Sequence, residues 1–439
     1  MTDRAALSLK MYKSARAAEK LAPEAFDRHF GRQRAMLVSH AARTSPFYSE
    51  RLNDLRHLDD ARIDPASWLK IPLLSRSELR ENLDTIKSTD VPAHHGDIRL
   101  GRTSGTSGMP VEILRTAMHE LADVAVIMRY YAWNRLDARR NFVFITGDVV
   151  GPYPDGEKLE TEWMDPYLRD GPCGYTIRLR HPIEPAKQIE FLSRQGPCYL
   201  ATQPSNALAI AMTLQQMGAD APRLDVGMVL TLGELVRESH RKAVRDRLGC
   251  GITDVYSARE IGVIACQCAS QKLHVAVDTM HVEILRRDGS PAAPGEEGRI
   301  VVTCHSNWAT PLIRYDTGDI GKFGEPCSCG VTLPVLELSV GRDRNLFRFS
   351  DGSTVLGMIG LEKFREFFPA IQWQVAQTGA EQLEIRYYSR QPDEAHDFAR
   401  VKSEVEAYFG RPLAIAFKRL DKMPHGRTGK LSEAVREIE

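Results

Sequence analysis

Cys198-Tyr199-Leu200-Ala201-Thr202, then Ser205 to Met217, then Val226-Gly227-Met228-Val229-Leu230-Thr231-Leu232 is the stretch that decides the fold class. The two outer runs are short and apolar, the form of strands covered on both faces. Between them Ala207, Ile210, Ala211 and Leu214 recur on one helical face. Strand, helix and strand in close succession imply a parallel sheet with helices packed on it. Upstream, Asn141-Phe142-Val143-Phe144-Ile145-Thr146 reads as a further strand. Ligand sites in such sheets gather at the carboxyl ends of the strands.

Working outward, residues 1 to about 95 read as mostly helical, broken at Thr44-Ser45-Pro46-Phe47-Tyr48 and again at Lys70-Ile71-Pro72-Leu73-Leu74-Ser75-Arg76, where Ser75 or Ser77 can cap the next helix. Gly147 to Pro182 has no clear period and reads as a long surface excursion. From Val275 the pattern turns antiparallel, with His281–Leu285, a turn at Arg287–Ser290 and a strand from Gly298 to Thr303. After Gly341 a smaller α+β unit follows, with strands around 371–376, 383–388 and 413–417. The expected class is α/β: a large N-terminal domain, 1–340, with several subdomains, parallel sheets and a β-rich part, plus a small α+β domain, 341–439. There is no internal repeat or low-complexity tract.

The chain has 439 residues, enough for two or three cores. Lys+Arg and Asp+Glu both number 58, so the net charge is zero and a polyanionic partner, nucleic acid or anionic membrane, is disfavoured. No apolar run reaches membrane-spanning length, and Met1-Thr2-Asp3-Arg4 lacks the build of a signal peptide. A cytoplasmic location is expected. There the eight cysteines serve as free thiols or metal ligands rather than as a disulfide framework.

Between Ile98-Arg99-Leu100 and Val111-Glu112-Ile113-Leu114 lies Thr103-Ser104-Gly105-Thr106-Ser107-Gly108-Met109-Pro110. Glycine allows close backbone approach, and hydroxyls add neutral donors, so this loop can hold an anion such as phosphate. It is not a Walker loop, because no Gly-Lys-Ser/Thr follows. Four more phrases follow in order: Thr231-Leu232-Gly233-Glu234; Asp254-Val255-Tyr256-Ser257-Ala258-Arg259-Glu260; Pro311-Leu312-Ile313-Arg314-Tyr315-Asp316-Thr317-Gly318-Asp319; and His425-Gly426-Arg427-Thr428-Gly429-Lys430. In this order and spacing the chain resembles the adenylate-forming superfamily, specifically its phenylacetate–coenzyme A ligase branch. Ser45-Pro46-Phe47-Tyr48 and Ile71-Pro72-Leu73-Leu74 also resemble that branch, so the likeness runs through nearly the whole chain.

The resemblance implies an enzyme that activates a carboxylic acid with ATP, releases pyrophosphate, and passes the acyl group from its adenylate to coenzyme A. By the same resemblance Ser104, Gly105, Thr106, Ser107 and Gly108 would hold the phosphates. Glu260 would bind Mg²⁺, Asp319 the ribose hydroxyls, and Gly233, Glu234 and Tyr256 would border adenine, with Ser257 and Arg314 nearby. Arg342 in Gly341-Arg342-Asp343-Arg344-Asn345 would reach the nucleotide at a hinge, making the C-terminal domain mobile, and Lys430 would act on the α-phosphate. Two departures stand out: Asn345 where the family usually has Asp or Lys, and Met109 where many members carry lysine. Candidates for the acid pocket are Tyr131, Trp133, Thr146, Gln203, Pro204, Ala258 and Val263, walls that suit an aryl or arylacetic acid.

A metal site is suggested separately. Cys266-Gln267-Cys268, His274 and Cys327-Ser328-Cys329 supply enough soft and borderline donors for tetrahedral Zn²⁺. Cys268, His274, Cys327 and Cys329 are the expected structural set, with Cys266 the spare. Cys173, Cys198, Cys250 and Cys304 read as ordinary core or loop residues. Three alternatives remain open: transfer to a carrier-protein thiol or an amine, a zinc-stabilised binding protein of the same fold without chemistry, and assembly as a homodimer.

Overall fold

A computed structural model describes residues 3–55, 62–102, 112–146, 157–165, 168–169, 171–180, 183–342, 346–360, 364–424 and 431–438. The chain divides into two compact units, one of Met1–Arg139, Glu162–Gly174 and Thr253–Ser339, the other of Arg140–Thr161, Tyr175–Ile252 and Val340–Glu439.

The second unit holds the parallel sheet. Asn141–Thr146 lies between Cys198–Thr202 and Tyr175–Arg180, and Val226–Leu232 adds to the far side of Cys198–Thr202, all in parallel. Val143, Leu200 and Val229 are fully buried, as strands covered on both faces must be. The helix Pro204–Met217 starts with proline in its first turn and ends at Gly218, whose φ of 57° suits a residue without Cβ. Its Ala207, Ile210, Ala211 and Leu214 pack on the parallel sheet, as their spacing requires. Leu208 on another face joins a second core, that of the α+β part. A helix apolar on most sides is therefore one buried between two cores. In the α+β part the strand order is Ala414–Arg419, Gln382–Tyr388, Gln372–Gly379, Ala434–Arg436, backed by the helix Phe398–Phe409.

The interval read as an irregular excursion, Gly147 to Pro182, contains two strands among its described residues, Glu157–Glu162 and Tyr175–Arg180. The second alternates Ile177 and Leu179, buried, with Arg178, whose guanidinium lies 4.5 Å from the centre of the Phe144 ring. An arginine that covers an aromatic ring looks polar in the sequence, and this hid the strand.

The first unit is helical over most of its first 95 residues. Ser75 is the cap used: it accepts from the Glu78 N–H while Glu78 takes the Ser75 N–H, a closed capping box. Its strands run largely antiparallel in the order Met280–Leu285, Gly298–Cys304, Leu312–Phe323, Val335–Arg342, Leu273–Val275, Gly262–Gln267, Gly251–Ala258. Asp254 to Ala258 thus lies within the strand Gly251–Ala258.

Arg314 corrects the sequence reading, which grouped it with the nucleotide ligands. It is 2% exposed, and its guanidinium donates to both carboxylate oxygens of Glu283 and to the carbonyls of Leu69 and Ile71. Its own carbonyl accepts from the Leu74 N–H at 2.9 Å. The Ile71-Pro72-Leu73-Leu74 phrase is therefore bound to the strand Leu312–Phe323 by this arginine, whose donors are spent on structure. Burial pushes the Glu283 carboxyl above its usual range even with the guanidinium beside it. Arg314→Met should destabilise the protein by about 3–5 kcal/mol, because the carboxylate would be left buried and alone. Urea unfolding measures this, and a parental midpoint would contradict the clamp.

Candidate functional site

In the first unit, Ser257 and Ala258 pair with Val263 and Gly262, so residues 259–261 form a tight hairpin turn that presents Glu260. Gly262 is needed there: its φ is 107°, and a Cβ would stand 2.6 Å from the Asp123 carboxylate. Glu260 is 9% exposed and accepts a hydrogen bond from the Tyr315 hydroxyl at 2.9 Å. Burial and the neighbouring carboxylate push the Tyr315 phenol far above its ordinary value, so it stays a donor. Arg115 donates to the Arg259 carbonyl. Arg115 sits in Glu112–Thr116, which pairs antiparallel with Ile98–Arg102. The hairpin that brackets the Ser/Thr/Gly stretch is thereby tied to the turn carrying Glu260. Ser104, Gly105, Thr106, Ser107 and Gly108 themselves lie outside the described residues.

Four residues further along the same strand as Tyr315, Asp319 accepts from the Tyr256 hydroxyl at 2.9 Å. The Asp319 N–H is held by Thr317 Oγ1 at 3.1 Å. An aromatic face and an acceptor suited to a diol are so brought together, and Glu260 is supported by a tyrosine from the same strand as Asp319. Tyr315 was missed in the sequence, although its place in Arg-Tyr-Asp, between two charged residues on a buried strand, was a signal.

In the second unit, Thr146 and Thr202 end adjacent parallel strands, with Thr231 opposite Thr202 on the next. Gln203 and Pro204, both buried, begin the following helix. These residues share the carboxyl edge of the sheet, where ligands of such folds sit. Gly233 has φ 81°, a left-handed turn after the strand. Glu234 then accepts from the Ser205 N–H at 3.0 Å and from the Leu431 N–H at 3.1 Å. Close by, Arg237 and Glu433 form an ion pair at 2.6 Å, each side chain 14% exposed. Nothing in the spacing of residues 237 and 433 announces that pair. Lys430 and the side chain of Arg342 lie outside the described residues.

Of the aromatic pocket candidates, Tyr131 stands edge-on to Trp163 at 5.3 Å. Trp133 is a correction. Its Nε1 donates to Glu19 at 2.7 Å and its ring stands 5.6 Å from that of His274, so it is a wall of the Cys/His cluster.

That cluster is formed as expected. The donor atoms of Cys268, His274, Cys327 and Cys329 all lie within 4.8 Å of one another. Cys268 and Cys327 Sγ are 3.8 Å apart, and Cys329 Sγ is 3.4 Å from His274 Nε2. A tetrahedral site with Zn–S of about 2.3 Å has sulfur–sulfur edges of about 3.8 Å. His274 Nδ1 lies 2.9 Å from the Leu333 carbonyl, which fixes that nitrogen as the N–H and leaves Nε2 with its lone pair toward the cysteines. Burial lowers the His274 pKa and so favours the neutral imidazole that a metal needs. Cys266 is outside the set, fully buried on its strand.

No family model matches the sequence. The chain is 25% identical to the phenylacetate–coenzyme A ligase of Escherichia coli (strain K12) over 308 residues, 65% of this chain and 64% of that protein. It is likewise 25% identical over 314 residues to the ligase of that name from Thermus thermophilus, 67% of this chain and 65% of the relative. The match thus spans somewhat less than two thirds of these relatives' length. Among solved structures, 2-hydroxyisobutyryl-CoA ligase bound to an acyl adenylate has a TM-score of 0.75 at 15% identity, covering 96% of this chain and 91% of that one. The anthranilate CoA ligase bound to anthranoyl-AMP has a TM-score of 0.54 at 14% identity, covering 97% and 95%. The chain is thus similar in sequence to phenylacetate–coenzyme A ligases, and it has the fold of the solved 2-hydroxyisobutyryl-CoA and anthranilate CoA ligases.

Proposed function

We propose that the protein is an AMP-forming acid–thiol ligase that converts a carboxylic acid to its acyl adenylate and then to the coenzyme A thioester. The observation that carries this reading is the bond from Tyr256 to Asp319 at 2.9 Å, which joins the residue assigned to adenine with the one assigned to ribose. Sequence similarity to phenylacetate–coenzyme A ligases supports an aryl or arylacetic acid as substrate. Glu260 would bind Mg²⁺ through a hard carboxylate oxygen, with Tyr315 fixing its orientation. Residues 341–439 would move between the two half-reactions.

The chemistry asks mainly for positioning and for charge stabilisation as negative charge shifts between phosphate oxygens. Asp319 would hold the ribose diol as acceptor, and Lys430 would place an ammonium between the carboxylate and the α-phosphate. Pyrophosphate release across a panel of carboxylic acids, with and without coenzyme A, tests the reading. Release that depends on an aryl acid, with thioester formed only when coenzyme A is present, is expected. No release with any acid would overturn it, and acyl transfer to a carrier protein or amine instead would redirect the second step.

The Cys/His cluster would hold one structural zinc, joining the hairpin that follows Glu260 to the chain beyond Asp319. No helix among the described residues is long and apolar enough to cross a membrane. The eight cysteines, all free, suit a reducing cytoplasmic setting. Freshly purified, never-chelated protein should contain about one zinc per chain by elemental analysis. Chelation should lower the melting temperature and expose Cys268, Cys327 and Cys329 to thiol reagents. Metal-free protein with the parental melting temperature would refute a structural zinc.

A further inference from the structure

The first unit has a half-open cavity of about 300 Å³ that neither the proposed nucleotide site nor the Cys/His cluster uses. It lies among the first two helices, the helix Ala117–Trp133 and the turn at 305–308. Most of its wall is apolar, with Met36, Met118, Phe30 and Trp308 among its residues. Methionine and aromatic faces of this kind adapt to flat rings.

Among the polar side chains in that wall, two histidines are buried. His305 is 4% exposed, and neither of its ring nitrogens has a hydrogen-bond partner. His95, 6% exposed, leaves Nδ1 unpartnered while its ring lies against that of Trp308, centres 4.4 Å apart and planes tilted by 32°. Buried polar atoms of this sort are rare unless a ligand or ordered water meets them. Desolvation holds His305 near 3 and His95 near 4, so both are neutral at pH 7; His305 can offer one donor and one acceptor, and His95 one of the two through Nδ1. The acid in the wall, Asp278, is neutralised by Arg129 at 2.7 Å. Thus the buried histidines present neutral donors and acceptors, and among the described residues no lysine or arginine lines the cavity.

We propose that this cavity is a binding site for a small neutral aromatic molecule of one or two rings carrying a hydroxyl or ring N–H, distinct from the site for the carboxylic acid. The volume is at the small end of ligand pockets and about twice that of a cavity that takes benzene. A hydroxyl or N–H on the ring would pair with His305, and the ring would lie between the thioethers and Trp308. A carboxylate is disfavoured, since burying it there would leave its charge unpaired.

Titration calorimetry of the full chain with indole and 2-naphthol, and with benzoate as the anionic control, tests this. Saturable binding of one neutral probe per chain, at least tenfold tighter than benzoate, is expected. Ala122→Phe, which fills the space from the helix wall, should weaken the probes at least tenfold, as should His305→Phe, while both variants release pyrophosphate at the parental rate with the preferred acid. Binding unchanged in Ala122→Phe, or no preference over benzoate, would overturn the proposal. Should either variant fold poorly, crystals of the parent soaked in 2-naphthol decide: density for the probe beside His305 supports the site, and a chain of waters alone refutes it.

Discussion

Lys430→Ala is expected to reduce adenylation on the order of a hundredfold or more, the scale of losing one preorganised donor to charge that develops in the transition state. The residue after it is already held in place: the Leu431 N–H is bound to Glu234, next to Gly233, in the phrase that by resemblance borders adenine. Two residues further on, Glu433 is paired with Arg237. Neither contact involves the lysine side chain, so the variant should keep them and its melting temperature. Supplied with preformed acyl adenylate and coenzyme A, Lys430→Ala should make thioester at close to the parental rate. Both half-reactions falling together would mean general damage, and neither falling would make Lys430 a solvated lysine near the chain end.

Glu260→Gln should lower adenylation on the order of a hundredfold while the protein stays folded. Gln keeps an oxygen to accept from the Tyr315 hydroxyl, so the local bond at 2.9 Å can persist. What is lost is the negative charge that makes the side chain a good ligand for a hard cation. Raised magnesium should restore activity only in part. The measurement is pyrophosphate exchange at several magnesium concentrations, alongside a melting curve. Adenylate made at the parental rate would reduce Glu260 to a turn residue that buttresses Tyr315.

The parallel sheet was legible because buried strands are continuous apolar runs. Asn141–Thr146, Cys198–Thr202 and Val226–Leu232 stand where the pattern puts them. Tyr175–Arg180 was not legible, since Arg178 lies across Phe144 and counts as polar. At the candidate site, family order proposed Glu260 and Asp319, and the tyrosines that hold them are joined to them only by tertiary contact. Arg314 misled for a related reason. A charged residue in a functional phrase looks like a ligand, and only its four bonds to Glu283, Leu69 and Ile71 show it to be a clamp. Cys268 was not separable from Cys266 by spacing, since residues two apart on an extended chain face the same way; the strand Gly262–Gln267 ends before Cys268, and it is Cys268 that joins the cluster.

The spacing of the cysteine sulfurs also gives the protein a chemical vulnerability. Cys268 and Cys327, 59 positions apart in sequence, hold their sulfurs 3.8 Å from each other. A disulfide needs about 2.05 Å, so a modest shift of either side chain suffices for oxidation once no metal stands between them. With zinc bound as proposed, metal and oxidant would compete for the same two sulfurs. A chain oxidised there has lost half of its donors and cannot be reloaded until it is reduced, so its history of exposure to peroxide, as much as the supply of zinc, would set the metal content of an ageing preparation.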